Sequence, residues 1–233
     1  MAVTVDATAT LASSPNTAVT TITNSSLTVG AGATALLAIL VTDGFTTNPT
    51  SIVVKWDNAG TPQTMTSVAS RQSTNSNILL NLYGLVNPTA GNKNLTATWT
   101  TGVPAMLDAI SFNGTITTSV ATAFLHAATN LGTSGSPSQP LTSAVGNIAV
   151  ACEGSTGTIT SLIATGSTSI FNSTFGSSFG NFGCAASWAP GAASITFTGS
   201  PTSTEWDTAG VDIVAAPVAV AVAWPRATVS FFR

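Results

Sequence analysis

Short apolar runs that alternate in twos constrain the fold of this chain more than any other feature of its sequence. They occur at residues 36–41, 52–56, 78–83, 95–99 and 195–198. Each run has the length of a strand and is rich in β-branched or aromatic residues. Turn-forming pairs such as Asp43-Gly44 and Asn113-Gly114 separate them. The pattern predicts an all-β fold, an antiparallel β-sandwich or jelly roll, with at most a helical turn in residues 120–128.

The chain is long enough for one large β domain, since it has 233 residues of which 44% are apolar. Its two halves resemble each other weakly. The strand before Asp43-Gly44 is similar to the strand before Glu153-Gly154, and residues 95–99 are similar to residues 194–198. These matches leave open a pseudo-duplicated sandwich or chance similarity within a Thr-rich chain. We expect residues 1–214 to form the sandwich domain.

After residue 214 the pattern changes, and residues 215–233 form a C-terminal apolar tail that the sequence assigns to assembly. An exposed apolar strand is an aggregation hazard, so it should pair with an edge of its own domain or with another chain. We favour the second use. The predicted assembly residues are Val218, Val220, Val222, Trp224, Phe231 and Phe232.

Charge excludes several classes of partner. The chain has 5 Lys and Arg, 8 Asp and Glu, and a net charge of −3, and 6% of its residues are charged. Five scattered cations cannot form the basic surface that nucleic acid or an anionic membrane requires. The longest apolar run, residues 211–224, contains Asp212 and Pro217 and is too short to span a bilayer. The first six residues also lack the pattern of a secretory signal. We therefore predict no nucleic-acid partner and no membrane insertion.

Catalytic patterns are present only in weak form. Ser178 lies in a Gly-x-Ser-x-Gly pentapeptide, but no predicted helix follows it, and the single His126 lies in an apolar run where a packed or edge position is expected. Glu205 and Asp207 could form a glycosidase carboxylate pair, but their alternation with Trp206 favours two water-facing acids on a half-buried strand. We predict no enzyme activity, no cofactor and no metal.

Two further groups of residues leave alternatives open. Cys152 and Cys184 have no metal-site spacing, and they form either one disulfide or two buried thiols. A candidate glycan platform consists of Trp56, Asp57, Asn58 and Trp206, because sugars stack on exposed aromatic rings beside hydrogen-bonding groups. The alternative is that these tryptophans belong to the core, and only their exposure can decide between the two.

Residues 79–91 (LLNLYGLVNPTAG) and two strands that follow them, residues 94–99 and 109–112, carry a family resemblance. They resemble a recurrent β-sandwich module of bacterial surface proteins and phage virion proteins, over about residues 18–216. The resemblance implies a β-sandwich with a structural or adhesive role, and it supplies no catalytic motif to carry over.

A hydroxyl-rich, nearly uncharged surface without an export signal is expected of a virion part, which is assembled in the host cytoplasm and becomes extracellular after lysis. The first hypothesis is therefore a phage structural protein, a head decoration, fibre or tail component, with copies of itself and other virion proteins as partners. The alternative is an adhesive module of a bacterial surface that binds host-surface glycans. A hydrolase using Ser178 or the Glu205 and Asp207 pair is the third hypothesis.

Overall fold

Antiparallel β-strands account for nearly all of the regular secondary structure in the computed structural model, which describes residues 1–44, 48–74, 78–177, 180–201 and 205–218. The predicted all-β class is confirmed. The described strands are β1 (Thr4–Thr8), β2 (Ala12–Asn24), β3 (Thr28–Val29), β4 (Ala33–Asp43), β5 (Val53–Trp56), β6 (Gln63–Thr64), β7 (Thr66–Gln72), β8 (Ile78–Val86), β9 (Gly91–Asn92), β10 (Leu95–Asn113), β11 (Phe124–Gly132), β12 (Ser138–Leu141), β13 (Ile148–Ser155), β14 (Ile159–Ile163), β15 (Thr168–Ser177), β16 (Gly180–Pro190), β17 (Ile195–Pro201) and β18 (Trp206–Ile213).

One turn of helix, α1 (Val120–Ala123), lies within the Ala-rich residues where the sequence allowed it. Its N-cap is Ser119, whose Oγ accepts a hydrogen bond from the Thr122 amide at 3.2 Å. The remainder of that Ala-rich stretch continues as β11. The helix is therefore a short connection between the two halves of the chain.

The first half of the chain, β1 to β10, forms a sheet that curls back on itself. The long strand β10 makes this possible. Its first part, residues 95–98, pairs with β2 on one side and β5 on the other. Its second part, residues 105–113, pairs with β4, and residues 110–113 also pair with β1. Register shifts against β2 between Thr98 and Ala105 mark the bend, so that one strand serves two layers.

The second half, β11 to β18, repeats the same arrangement. Its sheets have the orders β11-β18-β13-β16-β15 and β12-β17-β14. The first half has β1-β10-β4-β8-β7 and β2-β10-β5, with β10 in the place of both β17 and β18. In chain order β1, β2, β4, β5, β7 and β8 correspond to β11, β12, β13, β14, β15 and β16, and the order within each half is that of a jelly roll. Of the two readings of the internal similarity, the pseudo-duplicated sandwich is the one that this topology supports.

The two halves pack through their five-stranded layers. A single cluster of buried side chains joins Leu37 and Ile39 of β4 and Leu80 of β8 to Val150 of β13 and Val211 of β18. Each half also has its own inner cluster, around Trp56 and Leu107 in the first half and around Phe197 and Leu162 in the second. Strands β4, β13 and β18 are consequently covered on both faces. Their sequences read as continuous buried runs because no face is left for water.

Candidate functional site: an apolar cleft beside the tail

The start of the C-terminal tail is held by backbone hydrogen bonds. The Ala216 amide donates to the Gly114 carbonyl oxygen at 2.8 Å, and the Ile116 amide donates to the Val214 carbonyl oxygen at 3.0 Å. The Met1 amino group donates to the Ala216 carbonyl oxygen at 3.2 Å. Residues 214–216 are thus fixed beside residues 114–116 and beside the first residue of the chain.

Of the predicted assembly residues, the structure describes Val218, whose exposure is 69%. The others, Val220, Val222, Trp224, Phe231 and Phe232, lie outside the described residues. The tail exit is therefore defined by the exposed residues 217 and 218, which directly follow the contact between Ala216 and Met1. Its first large apolar side chain faces solvent.

An apolar cleft of about 510 Å³ lies close to this exit. Residues 2–5 form one wall, residues 145–148 the other, and Trp188, Pro190 and Gly191 line the remainder. The two walls are joined where the Val3 amide donates to the Gly146 carbonyl oxygen at 2.7 Å. The lining contains no charged side chain. A cleft of this size and chemistry suits apolar side chains rather than an ionic ligand.

The cleft and the tail exit lie at the same edge of the molecule. The Ala2 carbonyl oxygen packs against Gly114, 2.7 Å from the place where a Cβ on that glycine would stand, and Gly114 in turn accepts the hydrogen bond from Ala216. Val145, on the opposite wall, is 94% exposed. An apolar entrance is therefore open to solvent beside the point where an apolar segment leaves.

A polar network around Asp212 supports the wall of the cleft. The Ser143 hydroxyl donates to Asp212 Oδ1 at 2.5 Å, and Asn147 Nδ2 donates to Asp212 Oδ2 at 2.8 Å. The Asn147 Oδ1 atom accepts from the Ala215 amide at 2.9 Å, so the same asparagine holds the tail. Sequence analysis missed this network, because Ser143 and Asp212 are 69 positions apart and each is unremarkable alone.

The Asp212 network does not have the geometry of a nucleophilic triad. His126 Nδ1 lies 3.4 Å from Asp212 Oδ2, but the Ser143 hydroxyl is bonded to the carboxylate rather than to the histidine. His126 lies on β11 at the sheet edge, with a half-exposed side chain and a left-handed backbone φ of 49°. The Ser178 of the Gly-x-Ser-x-Gly pattern lies outside the described residues.

The predicted exposure of Glu205 and Asp207 is wrong. Asp207 is fully buried and Glu205 nearly so, because β18 is an inner strand covered on both faces. Neither Asp207 oxygen has a hydrogen-bond partner, and burial together with nearby Glu153 raises the pKa of Asp207 well above its ordinary value. A neutral, inaccessible carboxyl cannot flank a sugar bond, so this pair offers no glycosidase geometry.

The glycan platform requires a correction as well. The indole of Trp56 is buried, and its Nε1 atom donates to the Thr89 carbonyl oxygen at 2.8 Å. Asp57 is also buried and forms an ion pair with Lys93 at 3.3 Å, which leaves Asn58 as the exposed member of the group. Trp206 is buried against Gly132. Since neither ring presents a face to solvent, neither can stack on a sugar.

The two cysteines are free buried thiols, which is the second of the alternatives left open by the sequence. Cys184 Sγ lies 3.1 Å from Met106 Sδ across the junction of the two halves. Burial raises the pKa of both thiols well above the ordinary value, so they are protonated, apolar core residues.

Within the described part of the chain, no three His, Cys, Asp or Glu side chains are grouped so that they could hold a metal ion. None of the helices found there has the length and apolar character needed to cross a membrane. No protein-family model matches the chain, and no curated protein or solved structure shows significant similarity to it. The fold and the surface thus define a tandem jelly-roll protein with an apolar cleft at its tail exit.

Proposed function

We propose that this chain is a non-enzymatic structural component of a phage virion, which assembles with copies of itself through its C-terminal tail. The observation that supports this proposal is the uncharged cleft of residues 2–5, 145–148, 188, 190 and 191 beside the exit of the tail. An apolar entrance of this kind marks an interaction surface on an otherwise soluble β-sandwich.

Composition supports the same proposal. Because 6% of the residues are charged, the contacts that the surface makes depend little on the ionisation of side chains. A net charge of −3 leaves little electrostatic repulsion between neighbouring copies. Dense packing of identical subunits needs both properties. The two jelly rolls in one chain also provide long strand edges at β7 and β15, the last strands of the two five-stranded layers, where further virion proteins could pair.

Removing the tail tests the assembly role. A chain that ends at Val218 keeps every described residue, so its circular dichroism should match that of the full chain. We expect light scattering to show oligomers for the full chain and monomers for the shortened chain. The same mass for both chains would contradict the role of the tail.

A separate measurement tests whether the chain is part of the phage particle. Mass spectrometry of purified phage particles carrying this gene should detect the chain in many copies per particle. Recovery of the chain only from the particle-free fraction of the lysate would contradict a structural role in the virion.

A further inference from the structure

We propose that the cleft beside the tail exit receives residues 218–224 of a second copy of this chain. This inference rests on the proposed assembly function and specifies the contact through which assembly takes place. The first observation that carries it is the sequence of the segment, Val-Ala-Val-Ala-Val-Ala-Trp. In an extended strand, side chains alternate between two faces. One face therefore carries Val218, Val220, Val222 and Trp224, and the other carries only alanines.

The chemistry of the cleft matches that face. No charged residue occurs in residues 218–224, and none lines the cleft, so docking would leave no buried charge without a partner. Seven extended residues span about 20 Å, at roughly 3.3 Å per residue. The cleft volume of about 510 Å³ accommodates the large side chains of one strand face while the alanine face stays outside.

The position of the tail exit favours binding of the segment in the cleft of a second copy over binding in the chain's own cleft. Residues 214–216 are fixed by hydrogen bonds to residues 114–116 and to Met1. The next large side chain, Val218, is 69% exposed and does not line the cleft. At its last described residue the tail is therefore outside its own cleft and accessible to a second copy. Each copy then offers one tail and one cleft, which can be exchanged reciprocally in a twofold dimer or passed along an open array.

A mixing experiment with two full-length variants tests this inference. The tail variant, Val218→Asp with Val222→Asp, keeps an intact cleft. The cleft variant, Val145→Asp, keeps an intact tail and changes a side chain that is 94% exposed, so its fold should be preserved. Ala219→Asp with Ala221→Asp, on the opposite strand face, is the control for the tail variant. Ile163→Asp, at an exposed apolar side chain on β14 away from the cleft, is the control for the cleft variant.

We expect each of the two variants to weaken self-association at least tenfold by analytical ultracentrifugation, while both controls associate like the unmodified chain. Mixed together, the tail variant and the cleft variant should form a 1:1 complex, because one supplies the cleft and the other the tail. Association of the unmodified chain without any complex in the mixture would overturn the inference and leave the assembly function standing. A monomeric unmodified chain at every concentration would overturn both.

Discussion

Three carboxyl groups are buried in the interior without a full set of hydrogen-bond partners. They belong to Asp108, Glu153 and Asp207. Asp108 Oδ1 accepts from the Ala109 amide at 2.7 Å, but its Oδ2 atom and all four oxygens of the other two residues have no partner. Burial raises the pKa of Asp108 to about 7 and that of Glu153 to about 8. Three of the chain's 8 acids are therefore harder to ionise than they would be on the surface, and the formal charge overstates the negative charge of the folded protein below neutral pH.

These raised pKa values predict that the protein loses stability as the pH rises. The unfolded carboxyls ionise near pH 4, whereas the folded Asp108 and Glu153 stay protonated up to about pH 7 and 8. The unfolded state therefore binds fewer protons between these limits, and the free energy of unfolding falls as the pH rises through this range. Asp108→Asn should make this slope shallower by about 1 kcal/mol per pH unit between pH 4 and 7.

Urea unfolding at several pH values between 4.5 and 9 measures that slope. Asp57→Asn is the control, since Asp57 forms an ion pair with Lys93 outside the interior cluster. An Asp108→Asn protein with the same pH slope as the unmodified chain would contradict the assignment of a neutral, buried carboxyl.

At the scale of single elements, strand β10 differs most from what the sequence predicted. The sequence indicated two strands, at residues 95–99 and 109–112. The structure has one strand of 19 residues that bends at register shifts instead of ending. In the second half, β17 and β18 are separate strands. A local pattern cannot distinguish these two outcomes, because the partners β2, β4 and β5 decide whether the strand continues.

The cleft could not be predicted from the sequence for a related reason. Its walls come from residues 2–5, 145–148, 188, 190 and 191, which the jelly-roll connections bring together from both halves. The tail, by contrast, is a continuous apolar segment and was recognisable.

The sequence also predicted the all-β fold class correctly. It placed Asp207 at the surface, because the alternation of Asp207 with Trp206 does not reveal that a second layer covers the polar face of the strand.

Close approach between strands of the two halves gives a prediction for Gly154. A Cβ at this position of β13 would stand 2.7 Å from Asp207 Oδ1 and 2.8 Å from Ile78 Cγ2. Gly154→Ala should therefore lower the free energy of unfolding by about 1–3 kcal/mol, the usual effect of overpacking. Gly102→Ala, whose Cβ would meet Ala18 at an ordinary 3.5 Å, should change it by less than about 0.5 kcal/mol. Chemical denaturation of both variants measures the difference, and equal effects would contradict the tight packing at Gly154.

For the molecule as a whole, the duplicated jelly rolls share their largest core cluster. Because that cluster joins β4 and β8 to β13 and β18, neither half buries its five-stranded layer without the other. We infer that the halves unfold as one cooperative unit.

Leu80→Ala tests this cooperativity, since Leu80 belongs to the first half and is fully buried in the shared cluster. The substitution should destabilise the protein by about 2–5 kcal/mol. Hydrogen exchange should then accelerate in β13 and β18 of the second half as much as in β4. Ile163→Ala, at a side chain that is 55% exposed, should leave exchange unchanged. Faster exchange confined to the first half would show two independently folding units.

The hydrogen bond between Met1 and Ala216 has a practical consequence for anyone who fuses a reporter to this protein. An addition before Met1 would crowd this rim, next to the entrance formed by Val145. The exposed residues 133–136 offer a better insertion point, because a Cβ added at Gly135 would meet no atom of another part of the chain within 4 Å. They follow the far end of β11, whose nine residues span about 26 Å from the position where Phe124 pairs with Ile213. A cargo inserted there would be displayed outward and would leave the cleft entrance and the tail exit uncovered.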